Sequence, residues 1–248
     1  MPLYYDNMAL SNKEIRLFAA TITAAGMIIG LLFYNSPMVG FLTVMALISL
    51  FPRYRKSITE KRKSELLIQF RDMLYSVSAA VSTGRNMEQA LEESISFWDG
   101  TYNENDYIMQ ELKYMTGRIK NGNEKDVEVL ADFAARSGLE DIGDFVSVYE
   151  SCRSTGGNLV NAINRATTII GDKITLEKEL KTLMAQKVFE SRIVAGAPFI
   201  LMLMLRVVSP EYLEPMFETY QGKIIITFSL VLMAGALMMM ERINDIEI

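Results

Sequence analysis

Three carboxylates, Glu140, Asp141 and Asp144, fall within one short stretch of the chain. Oxygen ligands of this kind suit a hard cation such as calcium or magnesium. In the first turn of a helix, however, they make no closed cage, and negative charge is favoured there by the unpaired N–H groups of the helix start. Met233, Met238, Met239 and Met240 offer thioether sulfur of the type that holds copper, but they lie in a long apolar run and read as packing or lipid-facing residues. Cys152 is the single cysteine, so no internal disulfide and no thiolate cluster for zinc can form. It lies in an apolar helical pattern and reads as a buried small hydrophobe rather than a reactive thiol. The chain contains no histidine, which removes the usual general base near neutral pH and the commonest metal ligand. It has no GxxxxGK[ST], HExxH or GxSxG sequence either. The expectation is a protein that is not an enzyme and takes no cofactor, metal or nucleic acid.

The residues that do stand out serve architecture. Ser82-Thr83-Gly84-Arg85-Asn86-Met87-Glu88-Gln89-Ala90-Leu91 returns as Ser154-Thr155-Gly156-Gly157-Asn158-Leu159-Val160-Asn161-Ala162-Ile163. Each copy ends one helical pattern and opens another. Gly84 and the Gly156-Gly157 pair supply the left-handed residue that commonly ends a helix. Asn86 and Asn158 can accept from the freed N–H groups of the turn that follows. Two helix–turn–helix corners with the same stop and cap chemistry explain the repeat; two related halves of one bundle are the alternative.

The elements around these corners are nearly all helical. Leu66, Leu67, Phe70, Met73, Leu74, Val77, Ala80 and Val81 recur at the spacing of one buried helix face. Helix is expected from Met87 to about Trp98, then over 104–120, 124–136 and 139–153, with breaks at Asn121-Gly122-Asn123 and Ser137-Gly138. A further apolar stripe, Leu159, Ala162, Ile163, Ala166, Ile169, Ile170 and Ile174, continues through Leu176, Leu180, Leu183, Met184 and Val188. No proline interrupts this run before Pro198, so one helix is expected to pass into the membrane, with Gly171, Gly196 and Pro198 as its bends.

Residues 17–52 carry no charge. As one helix they would span roughly 54 Å at 1.5 Å per residue, nearly twice a hydrocarbon core of about 30 Å. Asn35-Ser36-Pro37 reads as the turn of a hairpin, 17–34 and 37–51, whose second half is short enough for a re-entrant or mismatched helix to stay open. No small-residue cleavage site ends the first stretch, which disfavours a cleaved leader. Two more apolar runs, 193–208 and 224–240, follow near the C-terminus; Arg206 is expected to snorkel toward headgroups. Arg53, Arg55, Lys56, Lys61, Arg62 and Lys63 follow the first hairpin, and Lys13 and Arg16 precede it, whereas loop 209–223 has Glu211, Glu214 and Glu218 against Lys223 alone. The positive-inside rule then puts both termini and the central domain in the cytoplasm and both short loops outside.

The expected fold class is an all-α integral membrane protein, a cytoplasmic bundle of about six helices between two transmembrane helical hairpins. The expected division is an N-terminal arm 1–16, a hairpin 17–52, a cytoplasmic helical domain 53–192, a second hairpin 193–240 with outer loop 209–223, and a cytoplasmic tail 241–248. Residues 88–150 hold fifteen Asp or Glu against five Lys or Arg, while 151–192 hold seven Lys or Arg against four Asp or Glu. Glu88, Glu92, Glu93, Glu140, Asp141 and Asp144 are therefore the candidate acidic surface for a basic partner, against the plainer reading of solvated helix faces.

With this context the turn Thr83-Gly84-Arg85-Asn86-Met87-Glu88-Gln89-Ala90-Leu91 resembles the type II secretion system F domain, as does Ala134-Ala135-Arg136-Ser137-Gly138…Phe145…Gly156-Gly157-Asn158-Leu159. The phrase Ser209-Pro210-Glu211-Tyr212-Leu213-Glu214-Pro215-Met216-Phe217…Gly222 is similar to the loop between the last two spans in the tight-adherence branch, the TadB and TadC platform proteins. The resemblance covers about 64–240. It implies a platform in the inner or cytoplasmic membrane for a type IV-like pilus or secretion machine. The implied partners are a cytoplasmic secretion ATPase, pilin or pseudopilin subunits, membrane lipid, and a second copy or a paralogous F-domain protein. It carries over no catalytic residue. The chain departs from longer relatives in having one such domain. A signalling adaptor is the alternative, disfavoured by its small external loops. A transporter is disfavoured by spans whose polar residues are mainly Thr21, Thr23, Thr43, Ser49, Thr227 and Ser229.

Overall fold

The computed structural model describes residues 4–5 and 10–244, with the side chains of 241–244 left aside. Parts of the expected arm (1–3 and 6–9) and tail (245–248) lie outside the described residues. Ten helices make up the rest. They are α1 Asn12–Tyr34, α2 Pro37–Leu47, α3 Phe51–Ser82, α4 Met87–Trp98, α5 Tyr107–Gly122, α6 Asp126–Ser137, α7 Glu140–Thr155, α8 Leu159–Val208, α9 Pro210–Glu218 and α10 Tyr220–Asn244. Among the described residues there is no strand, only an isolated bridge between Asp99 and Tyr102. Among the described residues four stretches are long and apolar enough to cross a membrane, in Asn12–Tyr34, Pro37–Ser82, Leu159–Val208 and Tyr220–Met240. The protein is an all-α membrane protein.

The helices fall into two compact units. The first holds Met1–Ala9, of which Tyr4 and Tyr5 are described, and Tyr54–Leu176; the second holds Leu10–Arg53 and Glu177–Ile248. In the first unit α3 is the central element. Its Phe70 meets Phe133 of α6 and Phe145 of α7 at ring distances of 5.9 and 5.6 Å. Ser76 donates to Ser94 of α4 at 2.8 Å, and Ser78 donates to Asn164 of α8 at 2.5 Å. Gln69, buried on α3, accepts from the N–H of Ile108 at 3.0 Å and so caps α5 from a neighbouring helix. Leu66, Phe70, Leu74, Leu91, Ile108, Leu112, Met115, Phe133, Ile142 and Tyr149 are enclosed around it.

The second unit carries a hairpin, α1 against α2, that glycines allow to close. A Cβ on Gly30 would lie 2.2 Å from the N and 2.3 Å from the Cα of Gly40, and one on Gly26 would lie 2.5 Å from Val44. Thr43 donates to the carbonyl of Gly26 at 2.9 Å across the same contact. Gly26 and Gly30 form a small-xxx-small pair, the spacing that lets membrane helices approach backbone to backbone.

Four expectations are corrected. Although α2 ends at Leu47, the helical path begun at Pro37 is not broken near residue 51. A short 3-10 turn, Ile48–Leu50, leads straight into α3, where Pro52 occupies the first turn and its missing N–H costs no bond. The expected loop 209–223 contains α9, started by Ser209 and Pro210 and packed on α10 so closely that a Cβ on Gly222 would meet the Met216 backbone at 2.6 Å. Cys152 is half-buried rather than enclosed, because the Gly156-Gly157 turn beside it has no side chains to cover it. The stripe on α8 divides: Ile163, Ile170 and Ile174 enter the core, whereas Ile169, Leu176 and Leu183 are exposed on an adjacent ridge. Gly196 and Pro198, the expected bends, lie inside α8 and neither ends it.

Candidate functional site

The two repeated corners are built alike. After α3, Gly84 adopts φ 87°, and the N–H of Arg85 donates to the carbonyl of Ala80 at 3.2 Å, closing the helix end. After α7, Gly156 adopts φ 71°, and the N–H of Gly157 donates to Cys152 at 2.9 Å. Asn86 accepts from the N–H of Gln89 at 2.8 Å, and Asn158 accepts from the N–H of Asn161 at 3.0 Å. In the first copy Gln89 also accepts from the N–H of Asn86 at 3.3 Å, completing a capping box. The second copy has the shorter Asn161 at that position. Thus Gly84 and Gly156 take the left-handed stop and Asn86 and Asn158 the cap, while Gly157 contributes its N–H without a positive φ.

The candidate acidic residues sit on two helices and are partly engaged. On α4, Glu92 accepts from Lys120 at 2.9 Å and Glu93 lies 3.7 Å from Arg85. The bond to Glu92 and its charge raise the pKa of Lys120. Glu88 lies in the first turn of α4, half-buried. On α7, Asp141 accepts both contacts of Lys173, at 2.8 and 3.1 Å, while Glu140 and Asp144 are exposed. Among the described residues no group of three or more His, Cys, Asp or Glu could hold a metal ion. Met238 and Met239 are exposed on α10.

Sequence reasoning missed a polar network enclosed in the first unit. Arg136 on α6 donates through both terminal nitrogens to Glu111 on α5, each at 2.7 Å, and through Nε to Asp132 at 2.9 Å. Arg136 and Glu111 are 3% and 2% exposed, so this is a buried bidentate pair. Burial pulls the guanidinium pKa down, but the bonds to Glu111 and Asp132 outweigh it and hold it above its ordinary value. Asp132 also accepts from Arg118 at 2.6 Å, and the Tyr114 ring lies beneath both guanidiniums at 5.1 and 5.5 Å. Tyr5 completes the network: its hydroxyl donates to Glu111 at 3.2 Å and its N–H to the carbonyl of Arg136 at 3.1 Å. Burial raises its pKa, with the Glu111 charge adding to the effect. A second pair of this type joins the Tyr149 hydroxyl to Asp126 at 2.6 Å, with Arg153 on the same carboxylate at 2.7 Å. Arg136 had a sequence signal, a lone arginine in an apolar helix face, but its partner lies 25 residues away.

In the second unit Arg206 is directed at the end of α1. It donates to the carbonyl of Leu31 and to the side chain of Asn35, and lies 5.9 Å from the Phe217 ring centroid. It thereby satisfies carbonyls at the end of α1 that the helix itself leaves unpaired. Tyr34 and Thr227 share a hydrogen bond of 2.8 Å between α1 and α10. Arg206, Asn35 and Phe217 line an open cleft of about 440 Å³ with Glu211, Glu214 and Glu218 of α9. These groups position helices against each other; none is arranged as nucleophile and base.

No curated protein and no solved structure matches the chain. A family model, type II secretion system protein F, matches residues 73–206, from the middle of α3 through both corners to Arg206. The match takes in Arg136, Phe145 and the whole of α4 to α7, and stops short of the 209–222 phrase. It covers more than half of a chain whose four long apolar helices mark a multi-pass membrane protein. The glycine-stopped, asparagine-capped corners and the helices between them are thus this family's matched segment, and the chain belongs to the type II secretion system protein F family.

Proposed function

We propose that this chain is the membrane platform of a tight-adherence type pilus or a related secretion machine, coupling a cytoplasmic ATPase to the extraction and assembly of pilin subunits. It catalyses no reaction itself; ATP chemistry belongs to the partner. The observation that carries the reading is α8. One 50-residue helix begins at the Asn158 cap, supplies Ile163, Ile170 and Ile174 to the core of the first unit, and reaches Val208 in the second. A helix of that length is about 75 Å long, enough to serve a folded domain and a bilayer span together. A movement imposed on the first unit by an ATPase has a covalent, hydrogen-bonded path to the spans.

The cytoplasmic side is assigned by charge. Arg53, Arg55, Lys56, Lys61, Arg62 and Lys63 crowd the start of α3, whereas the α9 segment carries Glu211, Glu214 and Glu218. Both termini and the first unit are then cytoplasmic, in the inner or cytoplasmic membrane, with α9 on the far side. Glu88, Glu92, Glu93, Glu140, Asp141 and Asp144 are the acidic surface offered to a basic partner, and of these Glu92, Glu93, Glu140 and Asp144 are exposed.

Affinity purification of the tagged full chain from gently solubilised membranes, with mass spectrometry of its companions, tests the proposal. Recovery of a secretion-type ATPase, with or without a second F-domain protein, supports it. Recovery of a kinase or receptor complex, with neither ATPase nor pilin, overturns it in favour of a signalling adaptor.

A further inference from the structure

Phe97, in the last turn of α4, is 59% exposed, and Tyr75 on α3 is 63% exposed. Rings of this size gain from being covered and are enriched at protein interfaces. Each stands one residue before a member of a single α3–α4 contact, in which Trp98 Nε1 donates to Ser76 Oγ at 3.1 Å. Phe97 is braced from behind. Its ring packs edge-on against Trp98 at 5.1 Å, Trp98 packs on Tyr102 at 5.4 Å, and the Tyr102 hydroxyl donates to Asp72 at 2.6 Å. An aromatic ring held in this way loses little conformational freedom when a partner covers it.

The charge beside these rings is negative. Asp99 follows Trp98 and is exposed, and its carboxylate has no partner among the described residues. It stands at the C-terminal, negative end of α4, whose last turn holds no basic residue. The chain has no cation to spare for it. Arg71 on α3 is bonded to Asp72 at 2.6 Å, and Arg85 lies 3.7 Å from Glu93. The five Lys and Arg of 88–150, which are Lys113, Arg118, Lys120, Lys125 and Arg136, each meet a carboxylate at 3.8 Å or less.

We infer that this α3–α4 face is the docking site for a basic segment of a partner protein, an Arg or Lys whose stem covers Phe97 and Tyr75 while its head reaches Asp99. Such a side chain gains a cation–ring contact and an opposite charge together. A purely apolar occupant would bury the Asp99 carboxylate unpaired, and an acidic one would be repelled. Under the platform reading, on which this step rests, the partner is the secretion ATPase.

The test places p-benzoylphenylalanine at Phe97, at Tyr75 and, as control, at Val148, which is 48% exposed on α7. The full chain is photoactivated in cells and purified, and its crosslinked peptides are read by mass spectrometry. Crosslinks from Phe97 and Tyr75 to one ATPase segment that holds an Arg or Lys are expected, at least tenfold above those from Val148. Asp99→Arg should cut recovery of the ATPase at least tenfold without moving the melting temperature of the chain. Exchange of the crosslinked Arg or Lys for Glu should restore that recovery. Three results overturn the inference and leave the platform reading standing. They are crosslinks from either ring to lipid, to a second copy of this chain or to nothing, equal crosslinking from Val148, and undiminished ATPase recovery with Asp99→Arg. Absence of the ATPase from the parent purification overturns both.

Discussion

At the scale of single residues the first unit is held by polar groups that its core has enclosed. Arg136 and Glu111 satisfy each other, so removing one is far worse than removing both. Arg136→Ala should cost about 3–5 kcal/mol, and Arg136→Met combined with Glu111→Leu should recover most of it. Thermal unfolding of the solubilised chain, followed by the near-ultraviolet signal of the first unit, measures both. The buried tyrosines give a test by pH. Burial first, and then the hydrogen bond to Asp126, raises the Tyr149 pKa above its ordinary 10.0; burial and Asp72 do the same for Tyr102. In each case the folded chain retains a proton that the unfolded chain gives up. Their contribution is fully present below pH 10 and is lost as the pH rises beyond it toward the folded values. Tyr149→Phe should therefore make stability fall less steeply above about pH 10 than in the parent, with the two curves parallel near neutrality. Parallel curves at all pH values would show that Tyr149 titrates alike folded and unfolded.

Among elements, the α1–α2 hairpin closes tightly enough to leave no room for a side chain at Gly30. An added Cβ at Gly30 meets backbone atoms of Gly40, which cannot swing aside as a side chain would, so Gly30→Ala must push the helices apart. A Cβ at Gly235 on α10 meets nothing within 4 Å, so Gly235→Ala is expected to leave stability unchanged or raise it by up to about 1 kcal/mol. Gly30→Ala should cost about 1–3 kcal/mol, the range for overpacking, and equal melting temperatures for the two variants would exclude the tight hairpin. Caps give a subtler comparison. Asn86→Ala should cost about 1 kcal/mol and Asn158→Ala less, because only Asn86 closes its box with Gln89. These corners could be read from the sequence because stop and cap are local chemistry, settled within five residues of Gly84 or Gly156. The left-handed residue after α5 could not be assigned so easily: Gly122 was available, yet Asn123 takes φ 51° and Gly122 remains helical. Capping of α5 by Gln69 was beyond sequence reading, since the partner lies 39 positions away. The Gly26–Gly30 pair could have been noticed from its spacing alone, but spacing does not say which helix it meets.

For the whole molecule, two helices pass the boundary between the units, α3 near Arg53 and α8 near Leu176. Sidedness can be fixed because Cys152 is the single cysteine. In a Cys152→Ser background, Glu214→Cys should react with a membrane-impermeant thiol reagent in cells whose inner-membrane face is opened from outside, and Glu93→Cys should not. The reverse pattern would invert the proposed topology. Transmission through α8 calls for a different comparison, since a broken helix and a shifted helix both disturb function. Three glycines inserted after Lys187 weaken the helix by roughly 3 kcal/mol, at about 1 kcal/mol each relative to alanine. Seven alanines inserted at the same place keep the helix stiff and return its faces to within about 20° of their original direction. If α8 acts as a rod, glycines should abolish piliation while ATPase co-purification persists, and alanines should leave a measurable fraction of it. Normal piliation with glycines would remove α8 from the mechanism. Loss with both insertions would mean that the distance from the Asn158 corner to the spans matters as much as stiffness. The 50-residue length of the helix would then be the selected quantity, and a seven-residue deletion should fail in the same way.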